Sequence, residues 1–120
     1  MSRLYALVGW GIVVLGGLHM FTTFRLMTAT PAGRVWFFGS GIAMSLVGAL
    51  NLLQRKYGED APGLSVVCRI ANVTLLVFAT VAGWITHATA IEYVLIVGLL
   101  GCALVLSFFR SASLPQALKR

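Results

Sequence analysis

The sequence predicts an all-α integral membrane protein, a single four-helix transmembrane bundle with both termini on the cytoplasmic side. Three observations lead there. Of the 120 residues, 59% are hydrophobic and only 10% are charged, where a soluble domain carries about 25% charged residues. The apolar residues gather in four runs, each near the roughly 20 residues that cross a bilayer. The nine Lys and Arg residues collect around the ends of those runs. A larger core cannot absorb the charge deficit, because a small globule has too much surface to cover. Lipid as the surrounding solvent removes the problem.

The first run extends from Leu4 to about Met27, with no charge before Arg25. It is too long for the apolar core of a cleaved signal peptide, about 7–15 residues, and no A-x-A site follows it. The second run is Val35 to Leu53, entered through a connector holding Pro31 and Gly33. A polar connector, Gln54 to Gly63 (QRKYGEDAPG), separates it from the third run, Leu64 to Thr86. The fourth, about Ala90 to Phe109, follows after His87–Thr89, so the last two spans form a tight antiparallel hairpin. Pro and Gly stand where breakers are needed. One membrane domain, residues 1–120, accounts for the chain.

Charge sets the orientation. Arg3, Arg55, Lys56, Arg69, Arg110, Lys119 and Arg120 fall on one side, and only Arg25 and Arg34 on the other. The richer side is cytoplasmic by the positive-inside rule. Trp36, Trp84 and Tyr93 then mark the outer interface, and Tyr5 and Tyr57 the inner one, as an aromatic belt. The net charge of +6 is read as topology and headgroup contact, not as a nucleic-acid surface. Compact loops with this bias suit a bacterial inner membrane.

Helix association in lipid depends on close backbone approach at small residues. Gly9 and Gly16 supply a seam on the first span, Gly41, Ser45 and Gly48 on the second, Ala79 and Gly83 on the third, and Gly98, Gly101 and Cys102 on the fourth. These seams serve either the bundle itself or a partner. Cys68 and Cys102 lie in apolar runs without metal-ligand spacing and read as small buried hydrophobes.

Polar groups inside a membrane are costly, so each is a candidate. On the third span, Arg69, Asn72, Leu76, Thr80, Gly83 and His87 fall within about 80° at 100° per residue. Ser40, Met44, Val47, Asn51 and Arg55 make a similar stripe on the second. Asn51 and Asn72 stand in the cytoplasmic halves of adjacent spans, which suggests a mutual, structural hydrogen bond. His19 and Thr23 share a face of the first span. Together with Arg25, Arg34, His87 and Glu92 they define an outer cluster. Its favoured reading is an Arg–Glu pairing that holds loops together; the other is a shallow anionic site for a headgroup, a quinone ring or a carboxylate.

No carboxylate lies mid-span, so the buried acid of a proton-coupled exporter is missing. No nucleophile–base or paired-carboxylate arrangement is visible, and no enzyme is expected. No cofactor is expected either. A bis-histidine haem needs both ligands at one depth, whereas His19 lies roughly 10 Å inside the outer helix end and His87 at the surface, at about 1.5 Å per residue. The leading expectation is a small non-catalytic subunit that packs on other membrane helices, in a larger complex or a homo-oligomer. The alternative is a small-molecule binding or transport protein built on the outer His/Arg pocket. A haem- or quinone-bearing redox subunit is a weaker third.

Overall fold

The structure is a computed structural model that describes residues 2–25 and 30–109. Among the described residues it holds four α-helices, α1 (Ser2–Thr23), α2 (Pro31–Tyr57), α3 (Pro62–Ile85) and α4 (Ala90–Ser107), and no strand. All four are long and apolar enough to cross a membrane. They run up, down, up, down. One end of the bundle gathers Ser2, Tyr57, Pro62 and Ser107; the other gathers Thr23, Pro31, Ile85 and Ala90. The first is called here the amide end and the second the histidine end.

The helices overrun the apolar segments in the middle of the chain. α2 begins at Pro31, four residues before Val35, and continues through Arg55 and Lys56 to Tyr57. Hydropathy marks where polar side chains begin, and a helix needs no lipid to continue past that point. Its start is determined by capping: Thr30 accepts a hydrogen bond from Gly33 N at 3.1 Å, and Pro31 fills the first helical position, where its missing N–H costs nothing. Pro62 plays the same part at the start of α3. The end of the first apolar run, residues 26–27, lies outside the described residues, and α1 stops at Thr23.

α1 and α2 pack backbone to backbone. Gly9 faces Gly48 and Gly16 faces Gly41, two pairs with the same seven-residue interval on antiparallel helices. A Cβ on Gly48 would sit 2.8 Å from the Gly9 carbonyl oxygen, and one on Gly41 would sit 2.7 Å from that of Gly16. Only glycine leaves room for that approach. Beside it, Ser45 Oγ donates to the Val13 carbonyl at 3.5 Å. α3 and α4 complete the ring, and the core at its centre is small: Ile12, Met44, Leu75, Leu100 and Ala103 with their neighbours.

The pattern of burial is inverted relative to a soluble protein. Asn51, Asn72, Gln54, Thr23 and Ser107 are buried, while large apolar side chains cover the outside, with Trp36 73% and Trp84 80% exposed. Continuous apolar surface on that scale calls for an apolar solvent. Two tyrosines depart from the belt reading. Tyr5 is 2% exposed and Tyr93 is half-buried against Gly83, because each has a polar or close-packed partner inside the bundle. Cys102 also departs: it is exposed, while Cys68 is buried.

Candidate functional site

Polar groups gather at both ends of the bundle, buried at the amide end and, at the histidine end, half-buried at His19 and exposed at His87 and Glu92. At the amide end, Asn51 and Asn72 exchange two hydrogen bonds, Nδ2 to Oδ1 at 2.8 Å and 2.9 Å. Asn51 Nδ2 also donates to the Val47 carbonyl at 2.8 Å, and the Tyr5 hydroxyl donates to Asn51 Oδ1 at 2.7 Å. Both amide hydrogens and both lone pairs of Asn51 are thereby used. Asn72 sends its second N–H to Cys68 Sγ at 3.6 Å. Gln54, with its Oε1 3.1 Å from the Tyr5 hydroxyl, donates through Nε2 to the Ser107 carbonyl at 3.0 Å. Arg69 Nε reaches that same carbonyl at 3.3 Å while its guanidinium lies over the Phe108 ring. The last turn of α4, whose carbonyls lack intrahelical partners, is thus capped from α2 and α3. One connected network touches all four helices.

Satisfaction of this kind is structural equipment. Every group in it has a partner within the protein, and little is left over for a ligand. Sequence reading placed Gln54 in the connector and Tyr5 at the interface. The missed signal is the spacing: Val47, Asn51 and Gln54 recur at helical intervals of four and three, so Gln54 continues the Asn51 face.

The histidine end is built otherwise. There the helices enclose a cavity of about 520 Å³. Its wall takes His19 from α1, Phe37 from α2, Gly83 from α3 and Glu92 and Tyr93 from α4, with His87 in the connection between α3 and α4. His19 is stacked on Phe37, with ring centroids 4.2 Å apart and planes 16° from parallel. That contact holds the imidazole at the wall between α1 and α2. Gly83 lets the Tyr93 ring lie against α3, since a Cβ there would come within 2.6 Å of it.

His87 is held by the way α3 ends. Thr86 is the C-cap, and His87 follows with φ 51°, the one positive φ among the described non-glycine residues. Ala88 N donates to Gly83 O at 3.0 Å and His87 N to Trp84 O at 3.4 Å. These are the two bonds of a Schellman motif, whose left-handed position favours glycine. Histidine tolerates that region better than most residues, but the conformation still costs energy.

Of the six outer candidates, His19, His87 and Glu92 meet at this cavity, while Thr23, Arg25 and Arg34 do not line it. Thr23 is buried and turns its hydroxyl back to the His19 carbonyl at 3.0 Å. Arg25 is exposed, with its guanidinium over the Phe21 ring. Arg34 lies half-buried in the first turn of α2. Glu92 closes a capping box rather than an arginine pair: its Oε2 accepts from Thr89 Oγ1 at 2.8 Å and Thr89 N at 3.2 Å, and Thr89 Oγ1 accepts from Glu92 N at 3.4 Å. The T-x-x-E spacing before an apolar run is a readable sign of that box.

With a carboxylate on the wall and no arginine among the described lining residues, the cavity suits a neutral or cationic hydrogen-bonding group better than an anion. Among the described residues no three His, Cys, Asp or Glu side chains gather to hold a metal ion. Comparison with known protein families, curated proteins and solved structures finds no match to this chain.

Proposed function

We propose that the chain is a multi-pass membrane protein that binds a small amphipathic molecule in the cavity at its histidine end. The cavity itself carries this reading. Its volume of about 520 Å³ falls in the range of ligand sites, about 300–1,000 Å³. Its wall combines apolar side chains with a few convergent polar ones, the usual composition of a small-molecule site. The strained His87 adds weight, because an unfavourable backbone conformation held at a cavity wall is commonly kept for its side chain. Orientation follows the charge bias, with the amide end and both termini cytoplasmic, so the cavity faces the outer leaflet. A bacterial inner membrane remains the setting that suits this topology.

The test is ligand retention. Protein released in native nanodiscs and analysed by native mass spectrometry should carry a discrete bound small molecule, and His19→Ala should lose most of it while keeping its helical circular dichroism. A folded His19→Ala protein with undiminished ligand would remove the reading.

A second reading rests on α4. Gly98 and Gly101 have open space around them, and Cys102, one turn from Gly98, is exposed. This seam is unused inside the bundle and supports packing against another membrane helix, as a non-catalytic accessory subunit or a homo-oligomer. Constant-stoichiometry protein companions in the same spectrum would favour it.

A further inference from the structure

The cavity shares part of its wall with a neighbouring space. A second space of about 680 Å³ lies in the cleft between α2 and α3, and it shares Trp36, Ser40, Leu75 and Phe78 with the first. Beyond those shared residues the cleft is walled by side chains such as Ala43, Val47, Val67 and Ala71, and no charged residue lines it among the described residues. Ser40 contributes no free donor, because its hydroxyl is turned to the Phe37 carbonyl at 2.7 Å.

The cleft has a physical origin. α2 and α3 are tied side chain to side chain by Asn51 and Asn72. Towards the histidine end no hydrogen bond between described side chains joins them, and α2 presents small residues, Gly39 and Ala43, to the gap. Along α2 it runs from Trp36 to Val47, about 16 Å at 1.5 Å per residue. That is far longer than a ring or a headgroup. Its outer lip, Val67 and Trp36, is exposed on the apolar surface, so bilayer hydrocarbon can reach it without crossing water.

We propose that the ligand is a single-chain amphiphile, with a neutral or cationic hydrogen-bonding head among His19, His87 and Glu92 and its hydrocarbon chain laid in the α2–α3 cleft. This rests on the binding role assigned to the cavity above. The adjacency of the two spaces decides the occupant: a largely apolar chamber with a few polar groups shares four wall residues with an apolar slot. The direction also fits. The head lies at the end of the helices and the chain runs towards their middle, as it does for a lipid in the leaflet.

Two neutral monoacylglycerols test it, monoolein with a long chain and monocaprylin with a short one, titrated into the full-length protein in nanodiscs. Monoolein should bind at least about tenfold more tightly (about 1.4 kcal/mol). Ala71→Trp, which fills the cleft, should abolish that preference and leave monocaprylin binding unchanged. Val67→Trp, at an exposed position where misfolding is not a concern, should do the same in smaller degree. Retention of the full chain-length preference in both variants would overturn the cleft assignment and leave the cavity standing. Release of a co-purifying protein helix by Ala71→Trp would overturn it in favour of a protein partner. Failure of both lipids to bind, or binding indifferent to His19→Ala, would overturn the cavity reading along with it.

Discussion

At the amide end, Tyr5, Asn51, Gln54 and Asn72 bring all four helices into one hydrogen-bonded network. At the histidine end α1 packs on α2 through His19 and Phe37 and α3 on α4 through Gly83 and Tyr93, and a cavity lined by His19, His87 and the Thr89-bonded Glu92 lies among the four helices. The amide end buries its polar groups, where an unpartnered group costs several kcal/mol in lipid; the histidine end leaves His87 and Glu92 exposed and His19 half-buried. The difference lies in where the partners come from. The amide end supplies its own; the histidine end supplies few. Polar groups in a bundle therefore separate into fastening and receiving sets by how fully the protein satisfies them, and residue type alone does not distinguish the two.

The fastening begins with the glycine seam, and that is where the largest effect is expected. A Cβ on Gly16 would meet Ser45 Oγ and would come within 2.6 Å of the Gly41 carbonyl oxygen, so the backbone itself would have to move. Gly16→Leu should cost about 3 kcal/mol, the upper part of the range for overpacking. Gly17, its neighbour, has nothing within 4 Å, and Gly17→Leu should stay within about 0.5 kcal/mol of the parent. Unfolding by detergent titration measures both. Equal losses would mean that the seam is not where the helices are held.

How much of this was legible follows from what each residue depends on. The four helices were readable because length and apolarity are local. Asn51 and Asn72 were readable as a pair because both lie inside apolar runs, at the same depth on adjacent spans. Gln54 was not, because it sits among Arg55 and Lys56 in a polar stretch and its burial depends on α2 continuing past the lipid-like segment. Tyr5 resembles an interfacial tyrosine until its hydroxyl acquires Asn51 as a partner. Of the outer candidates, only a folded arrangement could show that Glu92 turns to Thr89 and that Thr23 turns to the His19 carbonyl. The cleft depends on the spacing between two helices, which no pattern within either one encodes.

The asparagine pair gives the next effect, and it should be unequal. With Asn51→Leu, Asn72 loses both strong partners and keeps only the Cys68 thiol. With Asn72→Leu, Asn51 still has Tyr5 and the Val47 carbonyl. A buried amide left unsatisfied costs about 1–3 kcal/mol, whereas bonds between membrane helices average about 0.6 kcal/mol. Asn51→Leu should accordingly fall near about 2 kcal/mol by the first figure, and Asn72→Leu nearer about 0.6 kcal/mol by the second. The double replacement should be milder than Asn51→Leu alone, since no amide is then stranded. Equal single-variant losses in the same detergent titration would show that the network acts only through volume.

The smallest effect has the opposite sign. His87 occupies the left-handed position of a Schellman motif at φ 51°, a conformation that costs a side-chain-bearing residue about 1–2 kcal/mol relative to its relaxed state. His87→Gly removes that cost while adding freedom to the unfolded chain, so a net gain of about 0.5–1 kcal/mol is expected. If the imidazole is kept for the cavity, the same variant should bind monoolein several-fold more weakly. Stability and binding would then move in opposite directions from one substitution, as expected where local strain is held for function. A variant that is both more stable and equally able to bind would leave the strain at His87 without a purpose at the cavity, and the receiving set would shrink to His19, Glu92 and Tyr93.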